Sequence, residues 1–105
     1  MNLLFVCSRN KWRSPTAETI YKGKQGCQVK SAGTEPSAKT RVSAKDIVWA
    51  DLIFTMEKKH KQRLLENFPN ETQHKKIIIL DIEDDYNYMD TELIEMIRIS
   101  VDPYL

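Results

Sequence analysis

The chain predicts an α/β fold: a single small three-layer domain whose four-stranded parallel sheet, in order 2-1-3-4, is flanked by helices. Three observations predict it. Short apolar runs alternate with segments that carry helical spacing and helix-end signals. The last run, Lys76 to Leu80, is apolar at Ile77, Ile78, Ile79 and Leu80 without alternation, as in a sheet covered on both faces. Alternating strands and helices, joined by right-handed crossovers, build a parallel sheet. A length of 105 residues suits one core, so residues 1–105 are read as one domain with no separate module.

The elements follow in order. Leu3 to Val6 is strand one. A helix runs from Pro15, a residue suited to a first helical position, to about Lys24, with Gly23 and Gly26 as its stop. Glu18 is expected to place a carboxylate in the first turn, where the helix dipole favours it. Gln28 to Ser31 is strand two, ending at Gly33. A helix over Ser43 to Trp49 offers Val42, Ile47 and Val48 to the core. Leu52 to Thr55 is strand three. Glu57 to Phe68 is a helix with Leu64, Leu65 and Phe68 inward, and Pro69 ends it. Strand four is Lys76 to Leu80. The last helix starts near Asp90 and turns Leu93, Ile94, Ile97 and Val101 inward. In a sheet of this order the switch point lies between strands one and three, where ligands bind at the strand C-terminal ends. Cys7 stands there.

Composition narrows the function. The net charge of +1 argues against a whole-protein attraction to nucleic acid or to an acidic membrane surface. The charge is uneven, with Lys and Arg dominant up to Lys76 and a run of carboxylates from Asp81 to Glu95. No apolar run approaches the ~18 residues of a membrane span, and Leu3 to Val6 is too short for a signal-peptide core. Two cysteines, Cys7 and Cys27, make no disulfide framework. A cytoplasmic, reducing setting is expected, with Cys7 kept as a thiol.

The chemistry is concentrated in Cys7-Ser8-Arg9-Asn10-Lys11-Trp12-Arg13-Ser14, between strand one and the first helix. Backbone N–H groups in such a loop converge on an anion, and the helix N-terminus adds its dipole. The thiolate is the reactive form of cysteine, and a helix N-terminus favours it. Arg13 supplies a planar fork for two phosphate oxygens, which lysine cannot. A thiolate, a ring of amides and a guanidinium suffice to displace phosphate from an ester. Cys7 is therefore the expected nucleophile and Arg13 its electrostatic partner. The backbone of Ser8, Arg9, Asn10, Lys11 and Trp12 is the expected cradle. No metal or other cofactor is expected, since the separate His60 and His74 make no metal site. The cluster Lys58, Lys59, Lys61 and Arg63 reads as the solvated side of a helix.

Val6-Cys7 through Arg13-Ser14-Pro15 and Glu18 resembles the phosphate loop of the low-molecular-weight protein tyrosine phosphatases. Ser31-Ala32-Gly33-Thr34 and Asp51-Leu52-Ile53-Phe54-Thr55-Met56 are similar to that family's second and third strands. The chain resembles a compact bacterial branch, because the usual variable segment after Thr34 is largely missing. The resemblance implies that Ser14 hydrogen-bonds the thiolate and that Asn10 holds a left-handed bend. Arg9 replaces a small family residue, and Trp12 replaces a second cysteine. The reaction implied is hydrolysis of a phosphomonoester through a phosphocysteine, acting on phosphotyrosine in a protein or on a small phosphate ester.

The leaving oxygen needs a proton donor. Asp102-Pro103-Tyr104 spells the family's acid motif, but it follows the last helix, at the far edge of the sheet. Ile82-Glu83-Asp84-Asp85-Tyr86 follows strand four at the correct edge, with Asp85 in place of the family proline. Position selects Asp84, with Asp85 second. Tyr86, Tyr88 and Trp12 are candidate walls for a phosphotyrosine ring. Three other readings stay open: a phosphocysteine carrier, an arsenate reductase, or a non-catalytic phosphate-binding module.

Overall fold

The computed structural model describes residues 1–105. The strands are β1 (Asn2–Cys7), β2 (Gln28–Gly33), β3 (Leu52–Thr55) and β4 (Lys76–Ile79). The helices are α1 (Arg13–Tyr21), α2 (Ala44–Trp49), α3 (Lys58–Asn67) and α4 (Thr91–Val101), followed by a short 3-10 turn over Asp102–Tyr104. All strand pairs are parallel and the order is β2-β1-β3-β4, so the expected class and topology are borne out. No helix is long and apolar enough to cross a membrane.

The buried side chains explain why β1 is apolar from Leu3 to Cys7. Leu3, Phe5 and Cys7 face a cluster with Ala17 and Tyr21 of α1 and Leu93, Ile97 and Val101 of α4. Leu4 and Val6 face the other way, toward Ile47 of α2 and Leu64 of α3. Alternate residues of one strand thus serve two cores, which a period of two requires when both faces are covered. Tyr21, Phe5, Phe54 and Tyr104 form a chain of aromatic contacts through the first cluster, at centroid distances of 5.8, 5.2 and 5.8 Å.

Several expectations are corrected. Val48 is 63% exposed and Leu65 is 43% exposed, because Ile47 on α2 and Leu64 with His60 on α3 are the positions these short helices bury. Helix α1 begins at Arg13, two residues before Pro15: the Trp12 carbonyl accepts from Thr16 N–H at 3.1 Å and from Thr16 Oγ1 at 2.7 Å. Proline is still harmless there, since first-turn N–H groups have no helical partner. Glu18 consequently falls outside the first turn, and its carboxylate accepts from Ser31 Oγ at 2.6 Å. Strand β2 extends to Gly33, and β4 stops at Ile79.

The register brings Cys7, Gly33, Thr55 and Ile79 to one edge of the sheet. Gly33 is required by close approach. A Cβ there would meet the Ser8 carbonyl oxygen and Ala38 Cβ at 2.6 Å and Asn10 N at 2.9 Å. Two of those atoms are backbone of the loop after β1. Gly33→Ala is therefore expected to destabilise the fold by about 1–3 kcal/mol, the usual cost of overpacking, and chemical denaturation measures it. A variant as stable as wild type would show that the loop yields without cost.

Candidate active site

The loop after β1 is held by side chains from all around it. Asn10 adopts φ +56°, the left-handed region that asparagine tolerates better than most residues. That turn directs its backbone N–H to Cys7 Sγ at 3.2 Å. Its amide Nδ2 donates to Ser14 Oγ and to Ser31 Oγ, both at 2.9 Å. Ser31 Oγ passes its own proton to Glu18. The amide occupies an acceptor site on Ser14 Oγ, which lies 3.0 Å from Cys7 Sγ and 3.5 Å from the Ala32 carbonyl. When Cys7 is a thiolate, which can only accept, the Asn10 N–H and the Ser14 hydroxyl are the donors at sulfur. Helix α1 has no side-chain cap at its N-terminus, so its first amides keep no partner from the usual capping side chains.

Arg13 is only 1% exposed, a buried charge that must be paired. Its hydrogen bonds all leave from one nitrogen. Nη1 donates to Glu57 Oε2 at 2.5 Å and to the Ile82 carbonyl at 2.8 Å. Nε is buried without a hydrogen-bond partner; Asp84 Oδ1 lies 3.6 Å from it, in ion-pair range only. An unpartnered, buried N–H on a guanidinium beside Cys7 is a donor that an anion's oxygen could satisfy. Burial pushes the Glu57 carboxyl up, but the hydrogen bond and charge of Arg13 outweigh it and hold Glu57 below the usual carboxylate value.

The acid loop reaches the site through a left-handed residue after β4. Asp81 has φ +58°. The chain beyond it continues along β3, with Ile82 N–H donating to the Met56 carbonyl at 2.7 Å, and the Ile82 carbonyl meets Arg13. Further on, Met89 N–H donates to Thr16 Oγ1 at 2.9 Å, and Tyr88 Oη lies 2.7 Å from Thr19 Oγ1, docking the loop on α1. Asp84 is 56% exposed and lines the cleft over the sulfur with Cys7, Arg9, Lys11, Trp12 and Arg13. Asp85 is exposed and absent from that lining. Tyr86 does not wall the cleft: it packs toward α4, with its hydroxyl donating to Met96 Sδ at 3.6 Å. Trp12 is the aromatic wall. Asp102 sits at the other end of α1, where it accepts from Tyr21 Oη at 2.6 Å. Nine residues of helix, about 13 Å, separate that end from Arg13.

Two residues that sequence reasoning passed over belong to the site: Glu57 and His60. Glu57 N–H donates to His60 Nδ1 at 3.0 Å, so the ring proton is on Nε2, which donates to Ser8 Oγ at 2.8 Å. The signal was present. A carboxylate at the end of β3, three residues before a histidine, has the spacing of a reciprocal helix cap. Such a cap at the ligand-binding edge of the sheet brings both side chains to the loop.

No family model matches the chain. A protein-arginine-phosphatase of Geobacillus stearothermophilus is 32% identical over 91 residues, a match that takes in 64% of this chain and 62% of that protein. The chain thus covers less than two thirds of that relative's length. The tyrosine phosphatase Wzb from Escherichia coli K30, solved in complex with phosphate, superposes with a TM-score of 0.78 at 17% identity, covering 98% of this chain and 94% of that one. A low-molecular-weight phosphotyrosine phosphatase from Vibrio cholerae O395 gives 0.71 at 21% identity, covering 99% and 96%. The resemblance read from the sequence is borne out in the fold: the chain has the fold of the low-molecular-weight protein tyrosine phosphatases.

His60 predicts a pH effect. Burial is the main cause of its depressed pKa, helped by the Arg13 charge, and brings it down to about 4. An unfolded histidine takes up its proton near pH ~6.5. Between those values the unfolded chain binds the proton and the folded chain does not. Stability therefore falls as pH drops from about 6.5 toward 4. Melting temperatures across that window should fall less steeply for His60→Gln than for wild type. Parallel slopes would contradict a neutral His60 in the fold.

Proposed function

We propose that this chain is a cysteine-dependent phosphomonoester hydrolase acting through a phosphocysteine on phosphorylated protein, with phosphotyrosine as the residue attacked. The observation that carries the reading is Cys7 Sγ held by the Asn10 N–H and the Ser14 hydroxyl, beside a buried Arg13 whose Nε has no partner. In the first step the Cys7 thiolate attacks phosphorus. The S–P bond forms, the P–O bond to the leaving group breaks, and Asp84 gives its proton to the leaving oxygen. Arg13 and the loop amides hold the equatorial oxygens, where charge develops. In the second step Asp84 takes a proton from water, which attacks phosphorus. The sulfur leaves as a thiolate, stabilised by the donors from Asn10 and Ser14. With both cysteines free, a reducing, cytoplasmic compartment suits this chemistry. A carrier without hydrolysis has no need of Arg13 or Asp84.

A second reading has its own support. The 32%-identical relative is a protein-arginine-phosphatase, and Trp12 is the cleft's only aromatic wall. Phosphoarginine is then the substrate, and Asp84 protonates a leaving nitrogen. Parallel assays on phosphotyrosine and phosphoarginine peptides decide between them.

Cys7→Ser should abolish turnover of an aryl phosphate and leave the circular dichroism unchanged, because a serine hydroxyl is not ionised at neutral pH. Retained activity would end the proposal. Arg13→Lys should lose on the order of a hundredfold, as for removal of a key electrostatic donor. Asp84→Asn should lose ~10²–10⁴-fold on a poor leaving group, and much less on a good one that needs no proton. Asp102→Asn should match wild type. The reverse behaviour of the two aspartates would move the proton donor to Asp102.

A further inference from the structure

We infer that a second, basic subsite adjoins the cleft and selects phosphorylated peptides whose neighbouring residue carries another anionic group, a carboxylate or a second phosphate. The inference rests on the phosphomonoester reading and adds to it the chemistry flanking the scissile phosphate. The cleft over Cys7 is small, about 40 Å³. Beside it lies an open hollow of about 550 Å³, lined by Arg9, Lys11, Ser37 and Lys39 and by no hydrophobic residue. Arg9 and Lys11 line both, so a substrate phosphorylated over Cys7 extends naturally from one into the other.

The hollow is built from parts tied together by backbone. Lys39 N–H donates to the Arg9 carbonyl and Glu35 N–H to the Ser8 carbonyl, each at 2.9 Å. The segment carrying Ser37 and Lys39 is therefore fastened to the phosphate loop and moves with it. Lys11 Nζ lies 4.7 Å from the centroid of the Trp12 ring, a cation–π contact that leaves the charge unneutralised. Neither Lys11 nor Lys39 has a carboxylate partner, and Arg9 has Glu35 at 3.5 Å with 68% of the arginine side chain exposed. Three cations thus face one carboxylate, in a chain whose net charge is only +1. A pair that exposed is weak, and a substrate anion can compete with Glu35 for Arg9. The cleft also carries Asp84, which does not line the hollow and is followed by the exposed Asp85. An anionic neighbour is repelled there and attracted toward Lys39. The site therefore also fixes which way the peptide runs.

Equilibrium binding to the full-length Cys7→Ser protein tests this without turnover. Three phosphotyrosine peptides of one length are compared, flanked by Glu, by phosphoserine or by Gln. The Glu and phosphoserine peptides should bind roughly fivefold or more tightly than the Gln peptide at low salt, the scale of exposed charge pairs, and the preference should shrink as salt rises. The phosphoserine arm against the Glu arm shows which anion fits better. Adding Lys39→Gln should reduce the preference, and Lys39→Glu should abolish or invert it. Equal binding of all three peptides overturns the subsite, and turnover of an aryl phosphate by wild type leaves the hydrolase reading standing in that case. No binding of any peptide overturns both. A preference that survives Lys39→Glu overturns the assignment to this hollow.

Discussion

The buried guanidinium of Arg13 is the constraint on which the site depends. A charge at 1% exposure cannot stand unpaired, and the groups that pair it come from two separate segments. Glu57 comes from the end of β3, and the Ile82 carbonyl and Asp84 both come from the loop after β4. Arg13 itself opens α1. One side chain therefore ties the acid loop to the phosphate loop across the sheet edge. Removing one partner of a fully buried pair costs about 3–5 kcal/mol; Glu57 is partly exposed, so its removal costs less. The hydrogen bonds spend only Nη1, while Nε has the Asp84 carboxylate at ion-pair distance and no hydrogen bond. On the proposed reading, an anion bound there completes the pairing of the arginine.

The sulfur is served by a separate polar chain. Glu18 accepts from Ser31, Ser31 and Ser14 accept from Asn10, and Ser14 Oγ lies 3.0 Å from Cys7 Sγ. Each link is buried or partly buried, where satisfied hydrogen bonds rigidify and unsatisfied ones are costly. Gly33 makes this packing possible by letting β2 pass under the loop with no side chain between them. His60, neutral and bonded to Ser8, braces the loop from α3 without adding a charge next to Arg13.

The sheet order was legible because its signals are local and redundant. The unalternating Ile77-Ile78-Ile79-Leu80 run argues for a parallel sheet, although β4 is the edge strand and leaves Ile77 and Ile78 half-buried and Ile79 exposed. The separate placement of Asp84 and Asp102 was legible from topology alone: the structure puts the two aspartates at opposite ends of α1. Glu57 and His60 were not read, since their roles depend on β3 and α3 meeting a loop some fifty residues earlier. A helix with charged residues at half its positions reads as solvated, and only the reciprocal cap betrays an inward face for His60. Tyr86 was misplaced for a similar reason. A tyrosine after the acid fits a pocket wall in sequence, but the turn beyond Asp84 aims it at Met96. Val48 and Leu65 were overcounted because short helices on a small sheet bury one narrow stripe.

On the proposed reading, Cys7 Sγ is the atom that bonds to phosphorus. Rapid quenching of the wild-type protein with an excess of aryl phosphate, followed by intact mass and peptide mapping in mild acid, measures this directly. A single phosphoryl group on the peptide that contains Cys7, formed in a burst and then lost to water, is the predicted result. Steady turnover with no phosphoryl protein, or with the label on a histidine or serine peptide, would contradict it.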